Sequence, residues 1–159
     1  MRLLVQRVLH GEVTVDDPDG TSRLTGCIGK GLVVFAGFGA QDSAGLPQTR
    51  LWTAMLDKLL GLRIFPDGDG RFNRSLDDAQ GGLLLVSQFT LYADCRRGRR
   101  PSFDGALPPG PAEVLYNRLV CDLRDRLGER LQCGEFGAAM RVGITNWGPV
   151  TIMLDSKEF

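Results

Sequence analysis

A single α+β domain spanning residues 1–159, with much antiparallel sheet and two main helices, is what the sequence predicts. Three observations carry that prediction. Short apolar runs rich in β-branched residues are punctuated by many of the 21 glycines and eight prolines, as turn-rich sheet requires. Two stretches change to a period of three and four residues, the stripe of an amphipathic helix. No segment has the composition of an interdomain linker, and 159 residues at 43% hydrophobic content suffice for one substantial core.

Taken in order, "LLVQRV" and "VTV" read as strands parted by His10-Gly11, and "DDPDG" (16–20) as a turn. "GKGLVVFAGFG" (29–39) is an apolar run long enough for one buried strand. Over 43–60, Trp52, Met55, Leu56, Leu59 and Leu60 mark a helix, with Ser43 as N-cap and Gly61 at its end. "LRIF" is a short strand and "PDGDG" a turn. "GGLLLVSQFTLYA" (81–93) is the second strongly apolar strand, followed by a loop from Asp94 to Gly110. Tyr116, Val120, Leu123 and Leu127 place a second helix over about 111–127, with Pro111 in its first turn and Gly128 at its end. The remainder reads as strands with glycine punctuation.

Composition removes several classes of function. Lys plus Arg and Asp plus Glu number 19 each, so the chain as a whole lacks the positive field of a nucleic-acid coat. No apolar run reaches the roughly 18 residues of a membrane span, and "MRLLVQRVLHGE" is too short and too charged for a secretory leader. A cytoplasmic location with reduced thiols is therefore expected, without a membrane partner. Cys27, Cys95, Cys121 and Cys133 contain no Cys-x-x-Cys pair and His10 is the only histidine. Spacing thus argues against a structural zinc site built from these ligands; no metal and no cofactor are expected. A conventional serine or cysteine hydrolase would need His10 as its base, and no acid or second ligand accompanies it in a motif.

Three stretches remain as candidate sites. "CRRGRR" (95–100) places Arg96, Arg97, Arg99 and Arg100 together; such forks match phosphate oxygens, or simply form a solvated loop. "SQFTL" (87–91) ends an apolar strand. Strand alternation would point Ser87, Phe89 and Leu91 one way and Gln88 and Thr90 the other. Main-chain N–H groups leaving the ladder there can face an oxyanion, unless the hydroxyls merely satisfy local backbone. "NWGPVT" (146–151) sets Gly148-Pro149 between two apolar runs. Proline cannot donate to a ladder and glycine weakens a strand, so the pair is either an ordinary turn or itself a working part.

Together these pieces resemble the D-aminoacyl-tRNA deacylase family. The resemblance runs almost end to end, through "VQRV", "GKGLVV", "LDKLLGLRIFPDGDGRFN", "LLLVSQFTLYAD", "GRRPSF", "FGAAMRV" and "NWGPVT". It implies the deacylase-family fold, a largely antiparallel, barrel-like sheet with two main helices, in a cytoplasmic homodimer that needs no protein-bound metal. The implied activity is hydrolysis of the ester joining a D-amino acid, or glycine, to the terminal adenosine of tRNA. By the same resemblance, Ser87, Gln88, Phe89 and Thr90 form the catalytic motif, with the Phe89 N–H on the ester carbonyl. Phe136, Gly137 and Met140 form a second wall near the adenosine. Gly148 and Pro149, joined by a cis bond, reach into the partner's pocket as a chirality filter that Arg7 holds in place. The arginine loop would face the acceptor stem, an inference from charge.

Two mechanisms follow from that resemblance. Thr90 Oγ is the nucleophile in one; in the other the 2′-hydroxyl of the terminal ribose supports attack and the protein only orients the ester. No base stands near Thr90 in sequence, which favours the second. Trp147, Arg141 and the stretch "FAGFGAQDS" (35–43) depart from the family pattern and bear on substrate range. Rival readings are a deacylase relaxed towards a small L-amino acid, or a non-catalytic protein that binds aminoacyl-tRNA ends. The intact "SQFTL" argues against the first.

Overall fold

The computed structural model describes residues 1–159. Its first strand, β1 (Arg2–Asp16), runs unbroken through His10-Gly11, where the sequence suggests a break. Alternation explains the continuity: Leu3, Val5, Val13 and Val15 are buried while their neighbours are not. A one-residue bulge at Leu9 absorbs the change of direction, since Val8 faces Asn146 but His10 faces Thr145. The chain continues through β2 (Ser22–Ile28), β3 (Gly31–Gly37), α1 (Arg50–Gly61), β4 (Phe65–Pro66) and β5 (Phe72–Arg74). It ends with β6 (Gly82–Ser87), α2 (Pro109–Leu127), β7 (Leu131–Cys133) and β8 (Met140–Asp155).

The six-stranded sheet has the order β2-β1-β3-β6-β7, with β8 also paired to β1. β1 is antiparallel to β2, β3 and β8, as the many turns imply. β3–β6 and β6–β7 are parallel, however. Parallel neighbours need a long crossover, and α1 with the β4–β5 hairpin supplies one while α2 supplies the other. The sheet is thus mixed and barrel-like rather than wholly antiparallel.

Both faces of β3 and β6 are buried, which is why their sequences read as unbroken apolar runs. Leu32, Val34, Leu83 and Leu85 face the helices and join the larger core with Trp52, Met55, Leu59, Leu119 and Leu123. Val33, Leu84 and Val86 face the opposite way. With Val8, Val13 and Ile28 they form a smaller core, roofed by Met140, Val142 and Ile144 of β8. Trp52 Nε1 donates to Asp122 Oδ2 at 2.7 Å, tying α1 to α2.

Helix α1 starts later than the periodicity predicts. Thr49, not Ser43, is the N-cap, its hydroxyl accepting from Trp52 N at 3.3 Å. Residues 43–48 instead form turns and a 3₁₀ segment at Leu46–Gln48, where Pro47 stops an earlier start. Gly61 is the last residue of α1 rather than a cap. Gly128 does end α2, in a left-handed conformation at φ +57°.

Gly31 shows how closely the parallel pair approaches. A Cβ there would lie 1.9 Å from the carbonyl oxygen of Gly82, with no flexible side chain to yield. Gly31→Ala should therefore lose at least the upper end of the roughly 1–3 kcal/mol that overpacking costs. The expected readout is a lower urea midpoint with an unchanged slope.

Candidate active site

The site forms where β3 and β6 end side by side. Ala36 is paired with Ser87, the last residue of β6. Beyond it Gln88 N donates to Ala36 O at 2.7 Å, and the chain then turns into a 3₁₀ segment, Phe89–Tyr92. "SQFTL" is therefore not strand throughout, and the expected alternation of Ser87, Phe89 and Leu91 against Gln88 and Thr90 does not hold. The reason is local: β6 has no partner residues beyond Ala36 and Cys133, so the ladder stops. As the first residues of the turn, Phe89 and Thr90 have N–H groups without an acceptor inside it.

A cavity of about 530 Å³ opens at this edge. Its floor is Ala36, Val86, Ser87, Gln88 and Phe89. One wall is Phe103 with residues 106–109 and Ala112 of α2, and the other is Phe136, Gly137, Ala138, Met140 and Val142. The lining is mostly apolar with few polar groups, the usual character of a small-ligand site. Phe89 and Phe103 meet edge to face at 5.0 Å. The Phe136 ring lies 5.6 Å from that of Tyr116, whose buried hydroxyl donates to Leu85 O at 3.1 Å. Burial pushes the Tyr116 hydroxyl well above its ordinary pKa, so it serves as a neutral hydrogen-bond donor.

Five predicted neighbours of Ser87 thus share its cavity: Gln88, Phe89, Phe136, Gly137 and Met140. Thr90 does not line it. Its exposed hydroxyl accepts from Gln88 Nε2 at 2.6 Å, and no histidine, lysine or carboxylate is bonded to it. His10 lies elsewhere, on the exposed face of β1, 3.5 Å from Glu12. Phe38, Phe103, Leu107 and Ala112 also line the cavity and were not singled out from sequence. For Phe103 a signal existed, since it closes the "GRRPSF" stretch.

Arg7, Gly148 and Pro149 form a second unit outside that lining. Between the pairs Gln6–Thr151 and Val8–Asn146, one residue of β1 spans four of β8, so residues 147–150 are extruded from the ladder. The residue opposite them is Arg7, 3% exposed and the only buried charged side chain. Its Nε donates to Trp147 O at 3.0 Å and its Nη1 to Ile64 O at 2.5 Å. Its guanidinium lies over the Trp147 and Phe72 rings, 4.2 and 4.7 Å from their centroids. Burial lowers the Arg7 pKa, yet an arginine keeps its charge under all ordinary conditions. Gly148-Pro149 is cis and exposed, with Gly148 at φ +121°. A Cβ on Gly148 would come 2.6 Å from Arg7 Nη2, so only glycine fits against the guanidinium. Trp147 therefore packs on Arg7 and does not enter the cavity.

The arginine loop is a closed excursion. Asp94 and Ser102 exchange main-chain hydrogen bonds at 2.8 and 2.9 Å, leaving residues 95–101 as its exposed tip. Arg96 is paired with Asp94 at 2.6 Å, whereas Arg97, Arg99 and Arg100 are fully available to an anion. Arg141, another departure, is bonded to Asp16 and Ser22 on the strand edge.

Fold and cavity together define a single-domain protein whose pocket offers main-chain and apolar groups but no side-chain base. Comparison gives the particular family. Residues 4–155 match the family model described as D-Tyr-tRNA(Tyr) deacylase. The D-aminoacyl-tRNA deacylase of Nitratidesulfovibrio vulgaris (strain DP4) is 58% identical over 99% of this chain and 94% of its own length. That of Solidesulfovibrio magneticus is 52% identical over 99% and 97%. Among solved structures, the c-Myc DNA Unwinding Element Binding Protein superposes with a TM-score of 0.84 at 39% identity, covering 98% of both chains. A probable eukaryotic D-amino acid tRNA deacylase superposes at 0.79 over 96% of this chain and 97% of its own, with 21% identity. The chain belongs to the D-aminoacyl-tRNA deacylase family, and with it to the hydrolases acting on carboxylic esters.

Two tests follow from the geometry. Arg7→Lys keeps the charge but loses the fork and the stacking. It should cost about 2 kcal/mol, read as a fall of roughly 4–8 °C in Tm. The Asp94 carboxyl is held down from 3.8 to about 2, chiefly by the Arg96 side chain and then by the Arg96 N–H. Because the folded value is the lower one, this contact favours the closed loop above the ordinary carboxylate range and is lost as pH falls through about 2. A side-chain NMR titration should give that midpoint, and Arg96→Ala should move it upward.

Proposed function

We propose that the protein hydrolyses the ester of D-aminoacyl-tRNA, and of glycyl-tRNA mischarged on tRNA(Ala), releasing free amino acid and tRNA. Water oxygen bonds to the acyl carbon, the bond to the ribose oxygen breaks, and that oxygen takes up a proton. The observation that carries this reading is the cavity itself: main chain leaves the β6 ladder at Ser87–Gln88–Phe89, and no side chain stands ready as a base.

In such a site the enzyme's contribution is orientation and charge stabilisation. The Phe89 N–H is directed to the ester carbonyl, where it stabilises the developing oxyanion. Phe136, Gly137 and Met140 hold the terminal adenosine. The neighbouring 2′-hydroxyl of the ribose supports the attacking water, a role that needs proximity rather than an ionisable protein group. Thr90, bonded to Gln88 and set back from the lining, positions the turn.

Discrimination rests on Gly148 and Pro149. Inverting a Cα centre exchanges hydrogen and side chain, so a rigid wall beside the hydrogen of a D-residue collides with the side chain of its L-twin. Glycine, with hydrogen on both sides, passes. The pair is exposed and does not line its own chain's cavity, which supports a homodimer in which each subunit supplies the wall of the other's pocket. Arg97, Arg99 and Arg100 would meet the phosphates of the acceptor stem.

Purified protein incubated with D-tyrosyl-, glycyl- and L-tyrosyl-tRNA should cleave the first two and leave the L ester at its spontaneous rate. Thr90→Ala should retain most of the activity; a loss of 10³-fold or more, on the order expected for a missing nucleophile, would restore Thr90 to that role. Binding without ester loss would leave only a protein that captures aminoacyl-tRNA ends.

A further inference from the structure

The only histidine, the carboxylate of Glu12 and one of the four cysteines meet on the outer face of the sheet. Alternation places His10 and Glu12 on one side of β1, and the antiparallel register sets Cys27 of β2 directly opposite Glu12. Gly11 and Val13, between and beyond them, point into the smaller core. The imidazole nitrogen, carboxylate oxygen and thiol sulfur all lie within 4.8 Å of one another, and His10 Nε2 is 3.5 Å from Glu12 Oε2. The strand on the other side makes room for this arrangement. Gly143 of β8 faces Glu12, and a Cβ there would come 3.1 Å from Glu12 Cγ and 3.3 Å from its Oε1. All three side chains are exposed, so an ion can reach them directly.

We propose that His10, Glu12 and Cys27 form a surface site for one Zn²⁺ ion, with solvent as the fourth ligand. Imidazole, carboxylate and thiolate together suit a borderline-soft ion, whereas Mg²⁺ and Ca²⁺ take oxygen alone. Metal–ligand bonds of about 2.0–2.3 Å place tetrahedral ligand atoms roughly 3.3–3.8 Å apart. The His10–Glu12 spacing already meets that, and Cys27 closes the remaining ångström by side-chain rotation on a rigid strand pair. Spacing along the sequence argued against a metal because no Cys-x-x-Cys or second histidine exists; the strand register supplies the proximity that spacing hides. None of the three lines the substrate cavity. The ion therefore clasps β1 to β2 and takes no part in ester cleavage.

Reduced, metal-free protein titrated with Co²⁺ is the direct test. One Co²⁺ per chain should bind with a thiolate-to-metal charge-transfer band and the visible bands of a tetrahedral ion, and Zn²⁺ should displace it. Cys27→Ser should abolish the charge-transfer band. His10→Ala should weaken binding by more than about 100-fold, since even an outer partner of a ligand is worth 10–100-fold. Cys95→Ser and Cys121→Ser, at the other exposed thiols, should leave the spectrum unchanged. The site is overturned if no stoichiometric binding occurs, if the band survives in Cys27→Ser, or if it disappears in either control.

Discussion

One buried guanidinium organises the part of the molecule that sets this chain apart from a plain barrel. Arg7 sits in the interior without a carboxylate partner, an arrangement that would be costly if its charge were left bare. Two main-chain carbonyls and two aromatic faces replace the water it gives up. Those four groups come from β5, from the segment before β4 and from the extruded turn of β8. A single side chain thus holds together three segments remote in sequence, and the turn bearing Gly148-Pro149 keeps its shape because Arg7 fills the gap that its extrusion leaves in the ladder.

The pocket obeys a different logic. It lies at the carboxyl ends of two parallel strands, where the ladder runs out and main-chain groups become available, a recurrent location for ligands in sheets with helical crossovers. Its rigidity comes from below, since both faces of β3 and β6 are buried, and from Tyr116, which links α2 to Leu85 and supports Phe136. What the pocket offers is shape, apolar surface and main-chain groups, with no ionisable side chain in its lining.

Much of this was legible in the sequence, and the failures have physical causes. The β3 run, the α2 stripe and the Gly128 end were readable because burial leaves a periodic trace. Parallel pairing of β3 with β6 left none: a strand buried on both faces looks the same whichever way its neighbour runs. The "SQFTL" stretch is as apolar as a strand, and only the lack of a partner beyond Ala36 and Cys133 turns it into 3₁₀. Among the candidate site residues, Ser87, Gln88, Phe89, Phe136, Gly137 and Met140, named from motifs, line one cavity. Phe38, Leu107 and Ala112 were missed because an apolar residue at a cavity wall is indistinguishable, in one sequence, from one in the core. Trp147, one of the departures from the family pattern, covers Arg7.

The pairing of β1 with β8 has a kinetic meaning as well. Arg2 opposite Asp155 and Val15 opposite Met140 are contacts between segments separated by nearly the whole chain, and their loop-closure entropy must be met before they stabilise anything. Local pieces, α1 with its hairpin and α2 with β7, can form while the chain is still growing. The ladder that carries the Gly148-Pro149 turn cannot, because β8 is made after every other strand of the sheet. A domain of this topology completes itself late and slowly, and until then the inner edge of β1 stands open to any other strand.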